Sequence, residues 1–321
     1  EKFQNKQWLY GSNEKAIYKS IKDGQDEMGM PSFDEAFNEN ELQALTAYIK
    51  QGGLARTSSL ASSKPKIVVS KEQRFIVDTV VTGLEVPWGL DFLPDGSLLI
   101  ADRNGKMYHF TKGNKLVQLE GVPKLIAKGQ GGLMDIKLHP DYKKNGWIYF
   151  AYSAYADNTN EEIGNTAIMR AKLKGNKLVH QQRIFKAQPD TKRRHHYGCK
   201  ITFDNEGYLY FPVGDRGEMK NAQTLENHCG KIHRLHDDGR IPKDNPFVDV
   251  KNAMPSIYSF GHRNPQGLVF DPVQNVLWSS EHGPKGGDEI NLIVPGQNYG
   301  WPEISNGINY NGTILTEFTE K

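Results

Sequence analysis

Three stretches of the 321-residue chain concentrate residue types that do chemistry: Gly129-Gln130-Gly131-Gly132, His195-His196-Tyr197-Gly198, and a long run from Gly261 to Trp301. The long run reads GHRNPQGL, then SEHGPKGGDEINLI, then GQNYGWP. A histidine such as His196 can be neutral and basic at working pH, because an unperturbed imidazole titrates at roughly 6.5. Arg263 offers a planar fork of donors suited to carboxylates, a geometry that lysine only approximates. The turn at Gly283-Pro284 presents backbone carbonyls, which a hard cation such as Ca²⁺ takes as ligands. Each stretch also has a plainer reading. Gln130 between glycines makes a turn, and the histidines behind Lys192-Arg193-Arg194 make a solvated loop. Arg263-Asn264 before Pro265 fixes a connection, and Asp288-Glu289 before a strand is an exposed turn.

The chemical reading gains weight if the fold gathers these distant stretches at one place. With 32 Gly, 16 Pro, 14 Tyr and 14 Phe, the composition describes many short strands and tight turns, an all-β chain. Beyond Phe75 one pattern recurs: a strand, a turn with Pro, Asp, Asn or Gly, then a more apolar strand. The copies run from Gly89 to Ile100, Asp135 to Phe150, Lys200 to Phe211 and Gly267 to Trp278. Their starts lie about 45 to 70 residues apart, the spacing of β-propeller blades with inserted loops. In a propeller the loops at one end of every blade converge on the axis, so residues far apart in sequence share one pocket.

Ahead of the repeats, residues 1–51 read as a small α-helical fragment. Asn38 and Glu41 are spaced as a capping pair, and Leu42, Leu45 and Ile49 share one helix face. Residues 52–73, rich in Gly and Ser, read as a flexible linker, and the propeller is placed at 74–321. The 40 Lys+Arg against 38 Asp+Glu give no electrostatic case for nucleic acid or an anionic membrane. No apolar run approaches the roughly 20 residues of a transmembrane segment. Cys199 and Cys229 are read as two buried free thiols rather than a bridge.

The compound motif GHRNPQGL…EHGPKGGDEINL…NYGWP, over about Phe75 to Lys321, resembles the soluble glucose and aldose sugar dehydrogenases that depend on pyrroloquinoline quinone (PQQ). The resemblance is nearest to the bacterial aldose sugar dehydrogenase branch. It implies a six-bladed propeller with PQQ in the axial cavity, and hence C-terminal blades missing from this chain. It further implies that His196 is the catalytic base and that Gln130 contacts the cofactor and substrate region. Arg263 and Asn264 would touch the quinone and its carboxylates, with Arg263 stabilising charge on the quinone oxygen. The carbonyls of Gly283 and Pro284 would hold the cofactor-bound Ca²⁺, while Glu289 and the backbone of Tyr299 would hold a second Ca²⁺. The implied reaction oxidises the anomeric carbon of an aldose to a lactone. Two positions depart from the family pattern: His195 stands where the soluble glucose enzymes carry Asp, and Lys200 where Arg is usual. The first puts in doubt a carboxylate that orients the base.

Met28-Gly29-Met30-Pro31-Ser32-Phe33 and the helix after it resemble the second half of a class I cytochrome c, with Met30 as the axial haem ligand. The attachment motif C-x-x-C-H is absent, so haem c is expected only in a longer natural chain. The electron acceptor would be that fused cytochrome or a separate one, and the location periplasmic or extracellular. The rival readings are a Ca²⁺-dependent propeller lactonase and a non-catalytic propeller that binds a glycan or protein.

Overall fold

The computed structural model describes residues 11–25, 30, 32–34, 36–50, 67–157 and 162–319. The chain divides into two compact units, one from Glu1–Gly24 and Ser32–Leu84, the other from Gln25–Pro31 and Glu85–Lys321.

In the smaller unit, α1 (Glu14–Asp23) packs against α2 (Glu39–Lys50). Asn13 caps α1 by accepting from the Ala16 N–H at 2.8 Å. The capping pair at α2 forms reciprocally: Asn38 N–H donates to Glu41 Oε2 at 2.9 Å and Glu41 N–H to Asn38 Oδ1 at 3.1 Å. Leu42 and Thr46 are buried on α2, and Leu45 and Ile49 half-buried on the same side. The stretch read as linker differs in its last part. Ile67–Val69 (β1) pairs antiparallel with Arg74–Ile76 (β2), because β-branched Ile67, Val68 and Val69 favour a strand over a coil. The two compact units meet in sequence between Leu84 and Glu85. Residues 52–66 of that stretch lie outside the described residues, as do Gln51, Met28, Gly29 and Pro31. Met30 pairs through its backbone with Gln25.

The larger unit is a β-propeller of four antiparallel sheets, each taken in chain order. The first holds β3 (Pro87–Phe92), β4 (Leu98–Asp102), β5 (Lys106–Phe110) and β6 (Leu116–Gln118). The second holds β7 (Leu133–Leu138), β8 (Trp147–Tyr155), β9 (Gly164–Lys174) and β10 (Lys177–Lys186), with the short helix α3 (Tyr142–Asn145) between β7 and β8. The third holds β11 (Thr202–Phe203), β12 (Leu209–Val213), β13 (Lys231–Leu235) and β14 (Ile257–Phe260). The fourth holds β15 (Pro265–Asp271), β16 (Val276–Glu281) and β17 (Glu289–Ile293). All four repeats seen in the sequence supply the first two strands of a sheet.

First strands of neighbouring sheets touch, β3 with β7 and β11 with β15, and apolar clusters fill the seams between sheets. Leu99, Met107, Leu133 and Phe150 close the first seam, Tyr149, Tyr197, Phe211 and Val213 the second, and Tyr210, Ile232, Leu268 and Leu277 the third. At the first seam the backbones approach so closely that a methyl on Gly89 would lie 2.6 Å from Asp135 Oδ1 and 2.8 Å from its Cα. Cys199 and Cys229 are both buried and free, as expected.

Three of the four first strands carry a register shift near their start, at Pro87/Gly89 in β3, Leu133/Asp135 in β7 and Pro265/Gly267 in β15. Such an irregularity bends the strand and re-aims the residues before it. Gly129–Gly132 and Arg263–Asn264 are the residues immediately before β7 and β15, so both are delivered to the site by these bends.

Candidate active site

His196 lies in the loop leading into β11, with a left-handed backbone (φ +55°) that a β-carbon makes costly. Two hydrogen bonds hold it there. Its N–H donates to Gln130 Oε1 at 2.8 Å, and its Nδ1 lies 2.6 Å from Asp215 Oδ1. The ring is half-buried and Asp215 fully buried.

Asp215 follows β12 in the turn Gly214-Asp215-Arg216-Gly217 and spends both oxygens. Oδ1 also accepts from Gly217 N–H at 2.7 Å, and Oδ2 accepts from the Trp301 indole at 2.8 Å. Burial alone would push this carboxyl up, but His196, the Gly217 N–H and the indole together hold it below the ordinary Asp value. Burial pushes the His196 imidazole down; Asp215 opposes this, and the Arg263 and Arg216 charges reinforce it. The pair is therefore a neutral imidazole on an ionised carboxylate. Nδ1 donates to Asp215 and Nε2 keeps its lone pair, the arrangement of an oriented general base.

A carboxylate that orients His196, left in doubt by the sequence, is thus present, supplied by Asp215 rather than by residue 195. His195 packs edge-on to His196, with ring centroids 4.6 Å apart. It is buried, and burial, with the adjacent His196 ring and the Arg216 charge, pushes it down to about 3, so it stays neutral. The sequence reading passed over Asp215, which stands in a turn directly after the apolar strand of the third repeat. Lys200, standing where Arg is usual, pairs with buried Asp135 at 2.7 Å.

The Arg263–Asn264 segment is tied to the same centre. The Arg263 carbonyl accepts from Asp215 N–H at 2.8 Å, and Asn264 Oδ1 accepts from Gly198 N–H at 3.1 Å. Gly198 has φ +74°, and a methyl there would lie 2.6 Å from the Pro212 carbonyl, so only glycine permits this approach. Beneath the segment sits Glu281, which the sequence reading passed over. Its Oε1 accepts from the N–H groups of both Arg263 and Asn264, and its Oε2 lies 2.8 Å from His262 Nδ1. His262 Nε2 in turn meets Ser259 Oγ at 2.9 Å, and the His262 ring stacks on Tyr299 at 4.7 Å. The Arg263 guanidinium lies over the Trp301 ring at 5.3 Å and donates to the His282 carbonyl at 3.2 Å, with no carboxylate partner among the described residues. Gln130, His196, Arg263 and Asn264 therefore belong to one connected network.

The expected metal residues lie beyond β16. Gly283 N–H donates to Asp288 Oδ1 at 3.0 Å, and the Pro284 carbonyl accepts from Gly287 N–H at 2.9 Å, closing a tight turn. The Gly283 carbonyl accepts no hydrogen bond among the described residues, and that of Pro284 keeps a second lone pair. Glu289 pairs across the sheet with Glu281 and accepts from Asn291 at 3.0 Å. Burial, with the Glu281 charge, pushes the Glu289 carboxyl up. Among the described residues no group of three or more His, Cys, Asp or Glu is placed to hold a metal. A cation here would rest on carbonyl oxygens and single carboxylates, which is hard-cation chemistry. An unpaired planar guanidinium beside a neutral base and open carbonyls fits a planar polycarboxylate quinone with Ca²⁺.

Antiparallel blades that carry a carboxylate-bound histidine and a guanidinium without a carboxylate partner among the described residues on their connecting loops define a class of β-propeller protein with a polar site. Residues 84–321 match the glucose/sorbosone dehydrogenase family, and the chain belongs to that family. It is 40% identical over 245 residues to the aldose sugar dehydrogenase YliI of Escherichia coli, covering 75% of this chain and 65% of that protein. It is 30% identical over 290 residues to the quinoprotein glucose dehydrogenase B of Acinetobacter calcoaceticus, covering 82% and 59% respectively. The solved PQQ-bound aldose sugar dehydrogenase of Streptomyces coelicolor superposes with a TM-score of 0.63 at 32% identity, over 79% of this chain and 70% of that one. The chain thus spans slightly under two thirds of the length of these curated relatives.

Proposed function

We propose that the chain carries the catalytic part of a dehydrogenase that oxidises the anomeric carbon of aldose sugars to a lactone, using PQQ and Ca²⁺. The observation that carries this reading is the His196–Asp215 pair beside the unpaired Arg263 guanidinium. PQQ, when bound, supplies the hydride acceptor. Arg263 and the Asn264 amide would hold its anionic groups, and the carbonyls of Gly283 and Pro284 would hold the Ca²⁺. Glu289 with the Tyr299 carbonyl would hold a second Ca²⁺, and the Glu281 charge beside Glu289 favours a cation there. His196 Nε2 takes the proton of the anomeric hydroxyl, and Asp215 stabilises the imidazolium that forms. Arg263 stabilises negative charge that develops opposite the base, and the Gln130 amide nitrogen, unpaired among the described residues, faces the same reaction as a donor.

Electrons pass on to a cytochrome. The support is the Met30 segment, whose thioether suits haem iron, although the chain has no C-x-x-C-H and holds no haem c by itself. Quinone-linked sugar oxidation coupled to c-type haem places the protein outside the cytoplasmic membrane. No helix among the described residues is long and apolar enough to cross a membrane.

Sugar-dependent dye reduction by the full-length protein, with and without PQQ and Ca²⁺, tests the reading. Activity should require both additions and fall about 10²- to 10⁴-fold in His196→Ala, the contribution of a positioned base. Absence of PQQ binding would favour a lactonase or a binding module instead.

A further inference from the structure

The reaction as described leaves one buried charge without a role. Arg216 is 1% exposed, and no carboxylate among the described residues forms an ion pair with it. Burying a cation without an ion partner is costly, so its contacts matter. Nη1 donates to the carbonyl of His195, Nη2 donates to the carbonyl of Arg193 at 2.6 Å, and the guanidinium lies 3.4 Å over the ring of Tyr197. These contacts fall on alternate residues of the loop that carries His196.

The peptide unit between His195 and His196 is the one that matters for the base. Arg216 holds its carbonyl end, and Gln130 Oε1 holds its N–H end at 2.8 Å. With both ends fixed the peptide plane cannot rotate, and His196 is kept at φ +55° with its ring on Asp215.

Building on the reading of His196 as the base, we propose that Arg216 is a positioning residue that clamps the loop 193–197 and so fixes the orientation of the His196 ring. The groups that face His196 are Asp215, Arg216, Arg263 and neutral His195. Of these, the Arg216 charge opposes protonation of the imidazole, so its removal should also raise the His196 titration.

The test uses the full-length protein with Arg216→Met, Arg216→Lys and Tyr197→Leu. It combines steady-state kinetics after loading with PQQ and Ca²⁺ and nitrogen NMR of His196 in the unloaded protein. Arg216→Met should lower kcat about 10²-fold, the effect of a group misplaced by an ångström, with KM little changed. Its His196 should show mixed tautomers and an upward titration. Arg216→Lys should recover part of kcat, because an ammonium reaches carbonyls but cannot stack as a plane, and Tyr197→Leu should fall between the two. Wild-type kcat in Arg216→Met overturns the proposal. So does a lowered kcat with the His196 tautomer and titration unchanged, which would mean a purely structural role. If Arg216→Met does not fold, the same two readings on Arg216→Lys decide. If the wild type oxidises no sugar, the dehydrogenase reading fails while the NMR arm still decides whether Arg216 controls His196.

Discussion

At the scale of single residues, the chemistry turns on which nitrogen of His196 carries the proton. On the proposed mechanism, Asp215 accepts from Nδ1 and so leaves Nε2 to act as the base. Asp215→Asn should lower kcat by about 10³- to 10⁴-fold, the cost of the wrong tautomer, while PQQ affinity stays unchanged; parallel kinetics and PQQ titration check this. The same kinetics carry a pH signature. The deprotonated imidazole is the active form and burial pushes its titration down, so kcat/KM should hold as pH falls past roughly 6.5 and decline only below it. Asp215 raises that titration, so in Asp215→Asn the limb should move lower still. His196, Arg263 and the Gly283-Pro284 turn could be read from the sequence because their types are unusual for strand packing. Asp215 and Glu281 could not, since a carboxylate that acts through a neighbour looks like any loop or strand-end acid. Their roles appear only where the chain returns 19 and 18 residues away to meet them.

Among the elements, the second strand of the first and of the fourth sheet ends in a carboxylate that shapes the segment leading into the first strand. Asp102 at the end of β4 accepts from the N–H groups of Glu85 and Val86 at 2.8 and 3.1 Å, and Glu281 at the end of β16 does the same for Arg263 and Asn264. Glu281→Ala strands two buried donors and frees the segment that holds the guanidinium. It should cost about 3 kcal/mol in urea unfolding and weaken PQQ binding, and Glu281→Gln should recover part of both, because an amide oxygen still accepts. The strand pairs themselves were visible in the sequence, since alternation and turn residues act locally. The ribbon of β1 and β2 was not, because Gly and Ser ahead of it set the character of the whole stretch.

For the whole propeller, each sheet packs only on its neighbours, so stability resides in the seams. Gly89→Ala would drive a methyl into the backbone of Asp135 at the first seam and should cost about 1 to 3 kcal/mol, read as a lowered Tm. The seams also bear on the site, through the two oxygens of Asp215. One meets a histidine that precedes the third sheet, and the other an indole that follows the fourth. A single carboxylate is thus stretched between two wedges like the pointer of a balance. Any slippage of one wedge against the other is converted into a change of proton position on one imidazole, long before either wedge comes apart.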